Sequence, residues 1–293
     1  RRAVLERDPP PRFSASLAGD GDSISVHAGE IRALRHPETR APRLGDRSRA
    51  RQAEALARLY DDIAARIESG DRIVHLGNLM GVGPDPAGVL DAVVSFRRDF
   101  IAAPGFFAAD FVLLRGSQEE MWQKTLQLHF AVNPKQILEW MLARGLDATL
   151  RAYGLDPREG MQACGAGATA IARWTARLRE AMAARGGHRE AMLALRRAAH
   201  DERGRLLFVS AGLDASRPLA AQGDALWWGG PDFAALEAPF EGFMRVVRGL
   251  APEKTRPADG PFSLTLQGEN PSEIVAACLD AEGNIQALLR ESG

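Results

Sequence analysis

The residues of this 293-residue chain that could do chemistry are few and scattered. Its six histidines, His27, His36, His75, His129, His188 and His200, include no pair at metal-ligand spacing. Cys164 and Cys278 stand far apart with no metal-type spacing, so idle or buried thiols are expected rather than a zinc ribbon or a disulfide framework. Gly77, Gly81 and Gly83 follow an apolar run, but the Gly-Lys-Ser/Thr ending that cradles a nucleotide's phosphates is missing, and a tight turn is the simpler expectation. Arginine remains. The planar forks of Arg115, Arg217 and Arg248 suit a phosphate group, which makes non-catalytic recognition of a phosphorylated ligand one reading of the chain.

Such residues need elements to hold them, and the pattern of apolar residues supplies these. Residues 1–22 carry Pro9, Pro10 and Pro11 with little periodicity and read as a flexible leader. Alternation over 23–27 gives a first strand, and 35–50 reads as a loop. Ala55, Leu56, Leu59, Ile63 and Ile67 recur at helical spacing over 51–67, and Gly70-Asp71 ends that helix. A buried strand over 72–76, a glycine-rich loop and a helix over 87–98 come next. The order repeats at once: strand 111–114, loop 115–118, then a helix opened by Glu119 and Glu120, whose charges favour its N-terminal end. Residues 119–200 read as mostly helical, a cap inserted in a single domain over 23–290. Strands are expected at 206–209 and 245–247, and 262–266 with 274–279 are expected to close the chain as a hairpin-like pair. The apolar set Met121, Trp122, Leu126, Phe130, Ile137, Leu138, Trp140 and Met141 is expected to pack the core, with a docking face as the alternative.

Composition narrows the classes. With 45% hydrophobic and 26% charged residues the chain is globular, and 37 basic against 38 acidic residues leave no footprint of a nucleic-acid or anionic-membrane binder. Lysine occurs only at Lys124, Lys135 and Lys254, from which no mechanism follows. No apolar run reaches membrane-spanning length and no signal-peptide core opens the chain, so a cytoplasmic protein is expected.

Several blocks together resemble the calcineurin-like metallophosphoesterases, and in particular their bacterial serine/threonine protein phosphatase branch. The stretch Ile73-Val-His-Leu-Gly-Asn-Leu-Met-Gly-Val-Gly-Pro-Asp85 is similar to the family's V-F-L-G-D-Y-V-D-R-G-P-D, with Asn78 and Gly81 at its two Asp positions and Val82 at its Arg. Phe111-Val-Leu-Leu-Arg-Gly-Ser-Gln-Glu119 resembles V-F-L-R-G-N-H-E, with Ser117 at the metal-binding Asn and Gln118 at the catalytic His. Asp147-Ala-Thr-Leu-Arg-Ala-Tyr-Gly154 resembles D-A-T-L-x-S-Y-G, which is not part of the metal site. Leu207-Phe-Val-Ser-Ala-Gly-Leu-Asp214 resembles F-V-H-A-G-L-D, with Ser210 at the metal-binding His. A weaker block over 246–252 resembles V-V-H-G-H-T-P and puts Arg248 and Leu250 at its histidines. The family's first-strand block G-D-x-H-G is not recognisable: an alignment on Ile24-Ser-Val puts Ala28 and Glu30 at its Asp and His, and Gly45-Asp46 is a stray match without the His; near Trp227-Trp228, Gly230 falls at a phosphate-contacting Arg.

The resemblance implies two facing mixed β-sheets flanked by helices, an α/β sandwich, with the helical cap. It implies little catalysis. A two-metal phosphoesterase needs carboxylate and imidazole ligands to bring a bridging water's pKa from about 15.7 to about 7. Asn78, Gly81, Val82, Ser117, Gln118, Ser210, Arg248 and Leu250 are vestigial positions on this reading, and the divalent metal pair is expected to be lost. A pseudophosphatase that binds a protein partner is the leading expectation, with no nucleic acid and no membrane. The alternative is an active phosphoesterase in which the oxygen donors of Glu30, Asn78, Gln118 and Asp214 hold one magnesium or calcium ion.

Overall fold

A computed structural model of the chain describes residues 23–26, 31–35, 49–80, 83, 85–230, 233, 236–250, 259–266 and 273–292. Ten strands form two five-stranded sheets among these residues. The first sheet runs β1 (Ser23–Val26), β5 (Ala198–Asp201), β6 (Leu206–Val209), β7 (Arg245–Arg248) and β8 (Ser263–Thr265), all neighbours parallel except β5 and β6. The second runs β10 (Ile285–Ser292), β9 (Glu273–Leu279), β2 (Ile31–Arg35), β3 (Arg72–His75) and β4 (Phe111–Leu113), parallel from β2 to β4 and antiparallel from β10 to β2.

Strand alternation sorts side chains into three apolar layers. Val74, Leu76, Val112 and Leu114 of one sheet meet Leu206, Phe208, Val247 and Leu264 of the other between the sheets. Ile73, Phe111 and Leu113 face outward against α1 (Arg49–Ala64) and α2 (Pro86–Ala102). On the opposite outer face, Leu207, Val209 and Val246 pack on Leu226, Trp227 and Phe233. The expected α/β sandwich of two facing mixed sheets is therefore what the chain forms.

Between β4 and β5 lie α3 (Ser117–Leu126), α4 (Pro134–Met141), α5 (Asp147–Ala152), α6 (Pro157–Ala166), α7 (Ala168–Ala183) and α8 (His188–Leu193). Their apolar residues, Trp122, Leu138, Trp174 and Leu178 among them, join the same outer cluster as α1 and α2. Met121, Trp122, Ile137, Leu138 and Met141 are buried as expected, whereas Phe130 is 78% exposed. Local chemistry starts these helices: Asp85 accepts from the Gly88 N–H ahead of Pro86, and Asp156 from the Arg158 N–H ahead of Pro157. His75 is fully buried and bonds the Tyr60 hydroxyl at 3.2 Å, the satisfied core histidine its strand position suggests.

The end of the chain departs from expectation. Residues 263–265 and 273–279 are not a hairpin; they lie in different sheets, β8 beside β7 and β9 beside β2. The real hairpin is β9 with β10, whose outward face is so exposed that it lacked a buried-strand pattern. β2 was also hidden in a polar-looking stretch, and β5 begins at Ala198, inside the span expected to be helical. No helix among the described residues is long and apolar enough to cross a membrane. The leader over 1–22 lies outside the described residues.

One polar relay runs from the buried Tyr153 and His188 to the exposed Asp91 and partly exposed Arg185 and ties α2 to the inserted helices. Tyr153 Oη lies 2.7 Å from His188 Nδ1, and His188 Nε2 lies 2.8 Å from Asp91 Oδ1, whose second oxygen accepts from Arg185 at 2.6 Å. Burial lowers the His188 pKa below its ordinary 6.5, with the Asp91 charge opposing. As pH falls below 6.5, the unfolded chain takes up a proton that the folded chain resists, so this group removes stability toward acid. In thermal melts from neutral pH downward, His188→Gln is expected to show a shallower loss of melting temperature than the parent; an identical slope would contradict this.

Candidate functional site

The loops that follow β3, β4, β6 and β7 converge at the C-terminal ends of these parallel strands, where open α/β sheets place their ligand clefts. Gly77 has φ +84°, and a Cβ there would lie 2.7 Å from Gly116 N and 2.8 Å from Ser210 Oγ. Only glycine lets the three loops close this tightly. Ser210 O in turn accepts from the N–H groups of Gly249 and Leu250, both at 3.0 Å. The positions that sequence comparison singles out at 78, 117, 118, 210, 248 and 250 are thus brought to one cleft. Gly81, Val82, Ala28 and Glu30 lie outside the described residues.

The loops are joined at Glu119, which is completely buried. Its Oε2 accepts from Asn78 N (2.9 Å) and Gly116 N (2.8 Å), and its Oε1 from Met80 N (2.9 Å). Burial pushes the carboxyl above its ordinary pKa, while the N–H groups of Met80, Gly116 and Asn78 pull against that shift. In sequence Glu119 is only an acidic residue in the first turn of a helix; its reach back to the loop after β3, some forty residues earlier, has no local signal.

Asn78 sits at φ +58°, a left-handed conformation that asparagine tolerates better than most residues. Its side-chain oxygen accepts from Ser117 Oγ at 3.1 Å and from Gln118 N at 3.2 Å. Both lone pairs of that oxygen are therefore engaged, and the amide caps α3 from a neighbouring loop. Gln118 turns its amide the other way and donates to Arg144 O at 2.9 Å. Ser210 Oγ is buried with no hydrogen-bond partner, and Leu250 offers no ligand atom.

Arg248 is fully buried. It donates to Thr265 Oγ1 at 3.0 Å and Ala211 O at 3.2 Å, with its guanidinium 4.1 Å from the Phe233 ring centroid. These bonds tie β7 to β8 and to the loop after β6, and the buried side chain is out of reach of an external phosphate. Arg217 is largely exposed and pairs with Asp214 at 3.3 Å. Asp214 is held below its ordinary pKa first by the Ser216 hydroxyl and then by the Ser216 N–H, in a loop pinned by Gln222. Arg115 alone of the three stays partly open at the cleft, paired loosely with Glu120 at 3.4 Å. At Gly230 any Cβ would collide with the Leu213 carbonyl, so no side chain of any kind fits there.

Among the described residues, no group of three or more His, Cys, Asp and Glu is placed to hold a metal. The donors present do not suit a pair of divalent ions: a pre-engaged amide oxygen, one hydroxyl and an aliphatic side chain carry no charge to offset the ions. Nor do Asn78, Gln118 and Asp214 point to one spot, since each is committed to a different loop. The fourth donor of that set, Glu30, is outside the described residues.

The architecture is that of an α/β protein with two facing mixed sheets and a loop cleft at the strand ends. No family model matches the chain, and no curated protein does. Two solved structures are similar over 93% of it. One is described as "a putative diadenosine tetraphosphatase", at 14% identity, 98% of that chain and a TM-score of 0.49. The other is a protein serine/threonine phosphatase from Saccharomyces cerevisiae with similarity to human phosphatase PP5, at 10% identity, 84% of that chain and a TM-score of 0.43. Likenesses at this level carry no argument about chemistry.

Replacing Glu119 tests its place at the junction of the loops. In Glu119→Gln one carboxylate oxygen becomes an N–H₂ that must face an N–H of Asn78, Gly116 or Met80, a loss of about 2–3 kcal/mol. A correspondingly lower urea midpoint is expected, and an unchanged midpoint would show that the three bonds do not hold the cleft.

Proposed function

We propose that this chain is a phosphoesterase-like scaffold whose cleft does not hydrolyse phosphate esters and which works by binding, as a regulatory or structural partner of another protein. The observation that supports this most is Asn78. At the position where the resemblance implies a carboxylate shared by two ions, the chain carries a neutral amide whose oxygen already accepts two internal hydrogen bonds. The other positions go the same way. Ser210 and Leu250 replace imidazoles, Gln118 is drawn to Arg144, and Arg248 is enclosed.

Magnitude decides between loss and retuning. Uncatalysed phosphate monoester hydrolysis needs up to about 10²¹-fold acceleration, and without metal the attacking water returns to a pKa of about 15.7. Uncharged donors do not bridge that gap. The chain keeps the glycines, the apolar strands and the Glu119 clamp, which are the parts that hold the loops together. Selection for a shaped cleft without selection for ions accounts for both sets of residues.

Purified protein is expected to contain no stoichiometric manganese, iron or zinc and to leave p-nitrophenyl phosphate uncleaved. Manganese, magnesium and calcium are expected to leave its melting temperature flat, because an ion that bound the folded state would raise it. Enzyme-like turnover with bound metal would overturn the proposal. Asn78→Asp is expected to fold, since a carboxylate oxygen accepts the same two bonds, and still to show no turnover.

A further inference from the structure

The relay through Tyr153, His188 and Asp91 fastens together two parts of the chain that lie far apart in sequence. Asp91 belongs to α2, which follows the cleft loop after β3 and starts at its Asp85 cap. Tyr153 ends α5 and His188 opens α8, both in the insertion between β4 and β5. The insertion reaches α2 with two side-chain hydrogen bonds on the one carboxylate, from His188 and from Arg185. Beside them α8 lies flush on α2: Gly187 has φ +86°, and a Cβ there would come 2.4 Å from Val94 Cγ1.

Burial raises the Tyr153 pKa, so the phenol keeps its proton throughout the range around neutral pH. It donates to His188 Nδ1, which must accept, and Nε2 carries the ring's one hydrogen to Asp91. All three groups are satisfied in this tautomer. A further proton can go only to Nδ1, where it turns two donors toward each other. The Tyr153 oxygen then accepts only if its own hydrogen swings away, and among the described residues that hydroxyl bonds no other group. The charge is no better placed. Asp91 of α2 and Arg185 of the turn after α7 are the charges that act on His188, while Arg173, Arg177, Arg179 and Glu180 of α7 and Arg189 and Glu190 of α8 itself are exposed. Asp91 is half in water and already shared with Arg185 at 2.6 Å, so it offsets little of the cost of enclosing an imidazolium.

We propose that Tyr153, His188 and Asp91 form a pH-sensitive latch, closed at neutral pH and released in mild acid, that lets the insertion move off α2 while the two sheets stay folded. An open latch puts the imidazole in water, where it titrates near its ordinary 6.5, and the proton is taken up by opening. The sign follows from the closed state's lowered pKa: closure is fully favoured above 6.5 and is weakened as pH falls below it. Two contacts carry the change toward the cleft. Asp85, the α2 cap at the end of the cleft loop, lies near enough for its charge to act on Tyr153, and Gln118 donates to Arg144 O in the turn that leads into α5. The latch bears on the cleft whether or not the cleft hydrolyses esters.

The test is hydrogen exchange of the full chain at pH 7.5, 6.5 and 5.5, read by mass spectrometry as protection factors, which remove the intrinsic effect of pH. Peptides over 147–153 and 185–193 are expected to lose protection from pH 7.5 to 5.5 by severalfold, at most about tenfold for one proton. Peptides over α1 and β6 are expected to keep theirs. His188→Gln can still accept from Tyr153 and donate to Asp91 but takes no proton, and its protection is expected to be the same at all three pH values. Asp91→Asn keeps an acceptor for Nε2 and removes the charge that favours the imidazolium, so it is expected to lose more protection than the parent. Uniform loss across the chain, or a parental response in His188→Gln, would overturn the latch. Asp91→Asn covers the case in which the glutamine variant does not fold: a response no steeper than the parent's overturns the latch as well.

Discussion

The Glu119 carboxylate is the constraint on which the cleft depends. A carboxylate enclosed by protein is tolerable only when its lone pairs are filled, and here three main-chain N–H groups from two loops fill them. The loop after β3 and the start of α3 are thereby held against each other. Gly77 can then lie against Gly116 and Ser210, and the second sheet is drawn to the first at the strand ends. Burial works against this charge and the three N–H groups work for it. The balance explains why the loops have so little freedom: moving any one of them strands a donor or an acceptor.

Around this clamp the polar groups turn inward. Asn78 caps α3, Gln118 anchors the turn at Arg144, and Arg248 joins β7 to β8. A metal site does the opposite, leaving oxygen and nitrogen lone pairs aimed at a shared point and accepting their mutual repulsion until ions arrive. Internal hydrogen bonding avoids that strain and makes these loops self-sufficient.

Much of the fold was legible because it rests on local patterns. Alternating residues such as Ile73 and Val74, or Leu206 and Leu207, go to different layers, and helices begin where Asp85-Pro86 or Asp156-Pro157 supplies a cap. The departures have physical reasons. β10 lies at a sheet edge with most of its side chains in solvent, so its sequence carries no burial pattern, and the pairing of β9 with β2 and β10 instead of β8 depends on which sheet each strand joins.

By itself the sequence determined the repeated strand, loop and helix order and the identity of the residues at each cleft position. Residue type is a local property, and the absence of carboxylate and imidazole donors at these positions needs no coordinates to be read. Only the tertiary structure decided what the survivors do. Sequence made Arg115, Arg217 and Arg248 equivalent phosphate forks; packing exposed one, enclosed another, and paired the third with Glu120. It also turned Glu119 from a helix-end charge into the clamp of the cleft. Burial and hydrogen-bond partnership across dozens of residues are properties of the assembled sheets, and no spacing along the chain encodes them.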